Sequence, residues 1–395
     1  MRYVILVGDG MGDYPIAALE GRTPLEAART PNLDALAQAS LVGLSPTIPP
    51  GMAPGSDVAN MSLFGYDPAR FHTGRAPLEA ASLNIPLAPD QVAFRCNLVR
   101  LARSPRGETV MADYASGHIT TAQARPYIER LQNALGDARF AFHPGTSYRH
   151  ILVWNGGRDD LDLTPPHDRS GQAVDDVLTR LAADAPALHA LTTASWPVMA
   201  AAPTDPDLKS PPSSIWLWGQ GRPPRLSTLE RRFGLTGAAI SAVDLIKGLA
   251  VYAGLEVIEV PGATGWLDTN YAGKVAAGLE ALTRRDFLYL HVEAPDEAGH
   301  SGVLENKMRA IEDFDAKIVG PLVAGLRKQG DFRLLVACDH FTPLSVLTHT
   351  PEPVPVLIYD SRRDLTGPDR YTEKLAAAGP DLGPGAGLIN LLLER

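Results

Sequence analysis

The feature that most narrows the fold is a short, unbroken apolar run, Tyr3 to Val7, ended abruptly by Gly8-Asp9-Gly10. Consecutive apolar residues without alternation read as a strand covered on both faces, the kind found in parallel sheets flanked by helices. The glycines supply a tight turn and leave Asp9 at the strand's carboxyl end. Similar runs recur at Phe287 to Val292, Phe332 to Cys338 and Val354 to Tyr359. Helical patterns at Ala272 to Thr283 and Glu305 to Arg327 separate them, and Pro321 should kink or split the second. Thr30-Pro31 opens a further helix, with Thr30 as N-cap and Pro31 at the first helical position. This alternation predicts an α/β fold, a mostly parallel sheet with helices on both faces, built from the two ends of the chain.

The middle carries an α/β pattern of its own. Strands are expected at Ala93 to Val99, Arg149 to Trp154 and Ser214 to Trp218, and helices near Ala122 to Leu135, Ala173 to Ala183 and Ile240 to Ala253. The Pro-rich stretch Ala202 to Pro212 reads as a loop within this region, and Pro261-Gly-Ala-Thr-Gly265 as a crossover between regions. The expected organisation is a discontinuous core domain, residues 1–82 and 260–395, interrupted by a smaller inserted α/β domain, residues 83–259. A chain of 395 residues with 45% hydrophobic and 21% charged residues is long and apolar enough to bury both cores.

The net charge of -9 argues against a nucleic-acid partner, because phosphate-backbone binding needs a basic surface. Cys96 and Cys338 are the only cysteines, which leaves neither a disulfide framework nor a thiolate zinc site and fits a reducing cytoplasm. The first apolar run is too short for a signal peptide and no later one reaches membrane-spanning length, so neither export nor membrane insertion is expected.

Carboxylates and imidazoles gather where the apolar runs end. In Asp296-x-x-x-His300 the two donor types are one helical turn apart and can face one ion. Asp339-His340 closes the run Leu334 to Cys338, and His349 follows in the next loop. Each of these residues alone reads as a turn former or cap. Together with Asp9 they number six, too many for one tetrahedral site and suited to two divalent metals once a seventh donor is shared. Ser56 is the candidate for that donor, in the Gly/Pro-rich loop Pro50 to Asn60 that leads into an expected helix. Coordination lowers the pKa of a serine hydroxyl and makes it a nucleophile, and a helix N-terminus favours an arriving phosphate.

Read in isolation, Pro54-Gly-Ser-Asp57 is an ordinary loop with a serine N-cap. His291, inside a strand, reads as a packed, hydrogen-bonded histidine, and His72, His143, His150 and His189 as structural. The mixed Asp/His set favours manganese and also suits zinc, cobalt or iron. Gly8-Asp-Gly-Met-Gly12 does not make a dinucleotide loop, since the third glycine of that pattern would fall on Asp13, and no G-x-x-x-x-G-K-[ST] phosphate loop occurs.

In order and spacing these motifs resemble the alkaline phosphatase superfamily, and within it the archaeal-type cofactor-independent phosphoglycerate mutases. The stretches that carry the resemblance include Gly8 to Asp13, Thr30 to Asp34, Pro54 to Asn60, Phe64 to Pro68, Ala93 to Asn97, Ala294 to Gly302, Asp339-His340 and His349-Thr350. The resemblance implies an alkaline-phosphatase-like core with one metal held by Asp296, His300 and His349. It implies a second metal held by Asp9, Asp339, His340 and Ser56, a phosphoserine intermediate, an inserted domain that closes over the substrate, and no need for 2,3-bisphosphoglycerate.

Asp113 to His118, Thr146 to Arg149, Thr164 to Arg169, Ile215 to Gly221 and Gly262 to Lys274 resemble bacterial members of the group, some of which have been proposed to act on homoserine. His118 stands where the archaeal pattern has an arginine-rich segment. By charge and position within motifs, Arg95, His118, His167, Arg169 and Lys274 are the candidates for gripping carboxylate and phosphate.

The expected activity is interconversion of 3-phosphoglycerate and 2-phosphoglycerate, with a small phosphorylated acid as the partner molecule. The alternatives are a phosphotransferase making O-phosphohomoserine, a phosphomonoesterase or other phosphomutase, and a non-catalytic binding domain stabilised by metal. Oligomeric state has no signal in the sequence.

Overall fold

A computed structural model describes residues 1–202 and 205–394. Residues 203 and 204, part of the expected Pro-rich loop, and residue 395 lie outside the described residues. The chain divides into two units, Met1–His72 with Arg225–Arg395, and Thr73–Pro224. Along the chain the first unit contributes β1 (Arg2–Gly8) and β2 (Ser40–Ser45). The second contributes β3 (Gln91–Arg103), β4 (Thr109–Asp113), β5 (Phe140–Thr146), β6 (Arg149–Asn155) and β7 (Ser214–Gly221). The first resumes with β8 (Gly237–Ile240), β9 (Glu256–Val257), β10 (Phe287–Val292), β11 (Phe332–Ala337) and β12 (Val354–Asp360).

The junctions differ from those expected at 82/83 and 259/260. Residues 225–259 belong to the first unit because β8 pairs in parallel with β10, and β9 with β8. Pro261 to Gly265 is therefore a connection inside the first unit and not a crossover between regions. The Ala76–Ser82 helix belongs to the second unit, where Ala76 and Ala80 pack on Ala93, Ile151 and Val153.

The first unit's sheet has the order β2-β12-β11-β1-β10-β8-β9. β1 runs parallel to both neighbours, with Val4 opposite Leu288 of β10 and Leu334 of β11. Val4, Ile5, Leu6 and Val7 are all fully buried, so both faces of the sheet are covered at its centre. β12 runs antiparallel to β11, and β2 is antiparallel in turn to β12. A parallel return needs a long crossover, and no helix lies between Ala337 and Val354 among the described residues, so the chain comes back in the opposite sense. The carboxyl ends of β11, β1 and β10 thus lie side by side, and the segments leaving them bear Asp339-His340, Asp9 and Asp296.

Of two local expectations, one is overturned and one holds. Thr30 precedes the Pro31–Ala37 helix but its side chain does not cap it. The buried Asp315 carboxylate does, accepting from the Leu33 N–H at 2.7 Å and the Asn32 N–H at 3.2 Å, since a carboxylate is the stronger acceptor. Pro321 splits its helix upstream of itself: Leu304–Phe314 and Gly320–Gln329 are joined by a π-helical turn, Asp315–Val319, which absorbs the missing proline N–H.

The second unit is an antiparallel sheet of order β4-β3-β6-β5, with β7 on the long strand β3. Phe94, Cys96 and Leu98 of β3 pack with Ile128 and Leu131 of the Thr121–Leu135 helix and with Leu188 and Leu191 of the Pro186–Ala200 helix. Among the described residues no helix is long and apolar enough to cross a membrane.

Leu335, fully buried in β11 between β1 and β12, gives a direct check of this core. Leu335→Ala should cost about 2–5 kcal/mol in denaturant unfolding, and a loss under about 1 kcal/mol would contradict its place in a close-packed sheet.

Candidate metal centre

All seven sequence-predicted metal donors belong to the first unit. They form two adjoining clusters.

Asp9, Asp339 and His340 have donor atoms within 4.8 Å of one another and are all buried. His340 Nε2 lies 3.5 Å from Asp9 Oδ1, 3.4 Å from Asp339 Oδ2 and 3.1 Å from the Ser56 hydroxyl. Asp296, His300 and His349 form the second group, again within 4.8 Å. Asp296 Oδ2 is 3.2 Å from His300 Nε2, Asp296 Oδ1 is 3.5 Å from His349 Nε2, and the two histidine nitrogens face each other at 3.0 Å.

Local backbone explains why these side chains converge. Asp296 and His300 lie one turn apart on the Ala294–Ser301 helix, as their spacing requires. Gly55 is the N-cap of the Ser56–Leu63 helix and Ser56 its first residue, so the hydroxyl is not consumed in capping and reaches His340. Asn60 stands one turn along that helix, donating to the Ser56 carbonyl at 2.9 Å and to Asp339 Oδ2 at 2.7 Å while accepting from Tyr289. Gly10 has φ +59, and a Cβ there would meet Thr342 Oγ1 at 2.5 Å and Asp296 Oδ1 at 2.7 Å, so the turn after Asp9 tolerates only glycine.

Hydrogen bonds also set the histidine tautomers. The Thr342 hydroxyl donates to Asp296 Oδ1 and its oxygen lies 3.3 Å from His340 Nδ1, which must then supply the proton. That leaves the His340 Nε2 lone pair facing Asp9, Asp339 and Ser56, the form that ligates metals. His300 Nδ1 donates to the Leu347 carbonyl at 3.0 Å, which turns Nε2 toward the other cluster members.

The donor set fits a divalent cation. Burial, then the like charges of Asp339 and Asp296, push Asp9 well above the usual carboxylate range. Asp9 Oδ1 is buried without a hydrogen-bond donor. A cation would satisfy that oxygen and remove the repulsion together.

Some partners were not legible as such. His291, read as a packed histidine, places Nε2 3.0 Å from Asp9 Oδ2 and Nδ1 3.3 Å from the Ser241 hydroxyl, and burial lowers it to about 4. It is packed and neutral, and its ring also lies against the Asp9 carboxylate. His72, read as structural, lies 2.9 Å from Asp57, the residue after Ser56. Asn60 lay within a quoted motif, whereas Thr342 had no signal.

The substrate candidates divide between the units. Lys274 is fully buried in the first, where its ammonium donates to the His291 carbonyl at 3.2 Å and burial lowers it to about 8. The other four belong to the second unit. Arg95 pairs with Glu79 at 3.0 Å and lies 4.1 Å from the Trp218 ring centre. His167 meets the same ring at 5.5 Å, and His118 meets Tyr148 at 6.1 Å. Arg149 lies over Tyr148 at 5.5 Å, and Arg75 acts electrostatically on both Arg95 and His167. Arg169 is engaged by Asp176. Arg149, Tyr148 and Trp218 stood in quoted motifs without being singled out, although their charge and rings were a usable signal.

Asp296 raises His300 to about 9, so at neutral pH its Nε2 holds a proton that a cation must displace. Apparent Mn2+ affinity should therefore climb about tenfold per pH unit from about pH 6.5 to 8.5. Calorimetric titrations across that range check this, and a pH-independent affinity would contradict it.

Comparison with known proteins points in one direction. Residues 37–205 match the family model described as 2,3-bisphosphoglycerate-independent phosphoglycerate mutase. A Geobacter sulfurreducens protein named a probable 2,3-bisphosphoglycerate-independent phosphoglycerate mutase is 50% identical over 401 aligned residues, covering 100% of both chains. A Methanosarcina acetivorans protein named a 2,3-bisphosphoglycerate-independent phosphoglycerate mutase is 50% identical over 406, again covering 100% of both. The solved structure of PH0037 from Pyrococcus horikoshii superposes with a TM-score of 0.78 at 26% identity, covering 100% of this chain and 96% of that one.

Proposed function

We propose that this chain, which belongs to the 2,3-bisphosphoglycerate-independent phosphoglycerate mutase family, interconverts 3-phosphoglycerate and 2-phosphoglycerate through a phosphoserine at Ser56. The observation that carries the proposal is the Ser56 hydroxyl, partly exposed and 3.1 Å from Nε2 of His340, a member of one of two clusters of metal-type donors. Two divalent cations, manganese foremost, held by Asp296, His300 and His349 and by Asp9, Asp339, His340 and Ser56, would acidify the serine hydroxyl and neutralise phosphoryl oxygens.

The residues of the chain do the rest. Ser56 Oγ gives up its proton and attacks phosphorus, its bond to phosphorus forms as the ester bond to the glycerate oxygen breaks, and the departing glycerate oxygen takes up the proton that the serine released. The other glycerate hydroxyl then attacks phosphoserine, which restores Ser56. Ser56 is the first residue of the Ser56–Leu63 helix, and the N-terminal end of a helix favours phosphoryl charge. Asn60 holds the Ser56 carbonyl and Asp339 in fixed register.

Arg95, His118 and His167 are assigned to the substrate's anionic groups, with Arg149 added from the second unit's aromatic cluster. Arg169, beside Asp176, stays among these candidates, whereas Lys274 is given no such role because it is fully buried and donates to the His291 carbonyl.

Ser56→Ala should lower isomerisation by at least about a thousandfold while leaving the fold intact, measured with purified, manganese-loaded protein. Undiminished turnover would refute the nucleophile. Phosphate release and phosphorylation of homoserine, assayed in parallel on the unmodified protein, should both stay well below isomerisation.

A further inference from the structure

Lys307 is a buried cation of the first unit that the proposed reaction leaves unused, and its partners belong to segments that carry donors of the two clusters. It lies on the Leu304–Phe314 helix, an amphipathic stretch in which a lysine would ordinarily face water, yet its side chain is fully buried. Each N–H of its ammonium has an acceptor: Asp13 Oδ2 at 2.8 Å, the Gly12 carbonyl at 3.1 Å and the Thr342 carbonyl at 2.7 Å. Enclosing an ammonium this completely is costly unless every bond is made.

The acceptors are not scattered. Gly12 and Asp13 belong to the turn that leaves β1 through Asp9, and Thr342 follows His340 in the segment that leaves β11. Those two segments are stitched by the Thr342 N–H, which donates to the Gly12 carbonyl at 3.2 Å, and by bridges from Phe341 to Met11 and Gly12. The Thr342 hydroxyl is the group that joins Asp296 to His340 Nδ1. A third segment closes on the same point: a Cβ on Gly299, between Asp296 and His300, would meet the Thr342 carbonyl at 2.5 Å. One ammonium therefore grips the backbone on which donors from both clusters depend.

We propose that Lys307 is a positioning residue for the two-cation centre, fixing the Gly12 and Thr342 carbonyls so that Asp9, Asp296 and His340 keep a common orientation. The inference rests on the metal reading of those clusters. It assigns Lys307 no contact with substrate.

The test is Mn2+ titration of the full-length, metal-stripped protein, read by electron paramagnetic resonance, beside thermal unfolding. Lys307→Met alone leaves Asp13 as an unpaired buried carboxylate and is prone to unfold, so the deciding variant is Lys307→Met with Asp13→Asn, which removes both charges. That variant should unfold cooperatively like the unmodified protein but bind Mn2+ at least about tenfold more weakly, the usual effect of losing a group that orients metal ligands. A folded double variant with undiminished Mn2+ affinity would overturn the proposal. Failure of the unmodified protein itself to bind Mn2+ would overturn the metal reading beneath it, a result separable from the first.

Discussion

Asp9, Asp296 and Asp339 bring three carboxylates together beyond the ends of three neighbouring parallel strands, in a place from which water is nearly absent. Two like charges about 4 Å apart repel by roughly 4 kcal/mol even at an effective dielectric near 20, more than an ordinary hydrogen bond returns. The surrounding polar groups are disposed accordingly. Gly10 and His340 donate backbone N–H groups to Asp339 Oδ1, at 3.0 and 2.9 Å, and Asn60 donates to Oδ2. Imidazole nitrogens, not ammonium or guanidinium groups, face the remaining oxygens. Such a shell leaves room for a cation and supplies the neutral donors that a cation prefers.

The sheet explains how residues hundreds of positions apart come to share that shell. Placing β1 between β10 and β11 makes the exits of those strands adjacent, so no long loop is needed to carry a donor to the centre. Rigidity then comes from packing: the strands beneath are buried on both faces, and glycines at positions 10 and 299 let backbone approach side chain more closely than any other residue would allow. A hydroxyl on the first turn of a helix completes the arrangement, placing the serine where the backbone already favours negative charge.

Much of this was visible in the chain's chemistry. β10 matches the expected Phe287 to Val292, and β11 and β12 differ from expectation by one residue at one end each, because runs so dominated by apolar residues have few alternatives to full burial. Asp9, Asp296 and Asp339-His340 could be picked out because they followed such runs, with Ser56 and His349 in nearby loops. Direction was not encoded: the run at β12 reads the same whether the strand is parallel or antiparallel. β8, Gly237–Ile240, was lost because its small residues carry little strand signal and run into the helical pattern that follows. Partnerships across the fold were also hidden. Nothing local says that His291 will meet Asp9, that Asp315 will cap a helix nearly three hundred residues earlier, or that Lys307 will be buried.

The central claim is that the two donor clusters each bind a cation and share Ser56 with the chemistry. Anomalous diffraction from crystals soaked in Mn2+ tests it most directly. The account requires two peaks, one enclosed by Asp296, His300 and His349 and the other by Asp9, Asp339, His340 and the Ser56 hydroxyl. Manganese found only elsewhere on the protein, or a cluster that stays empty at saturating metal, would contradict it.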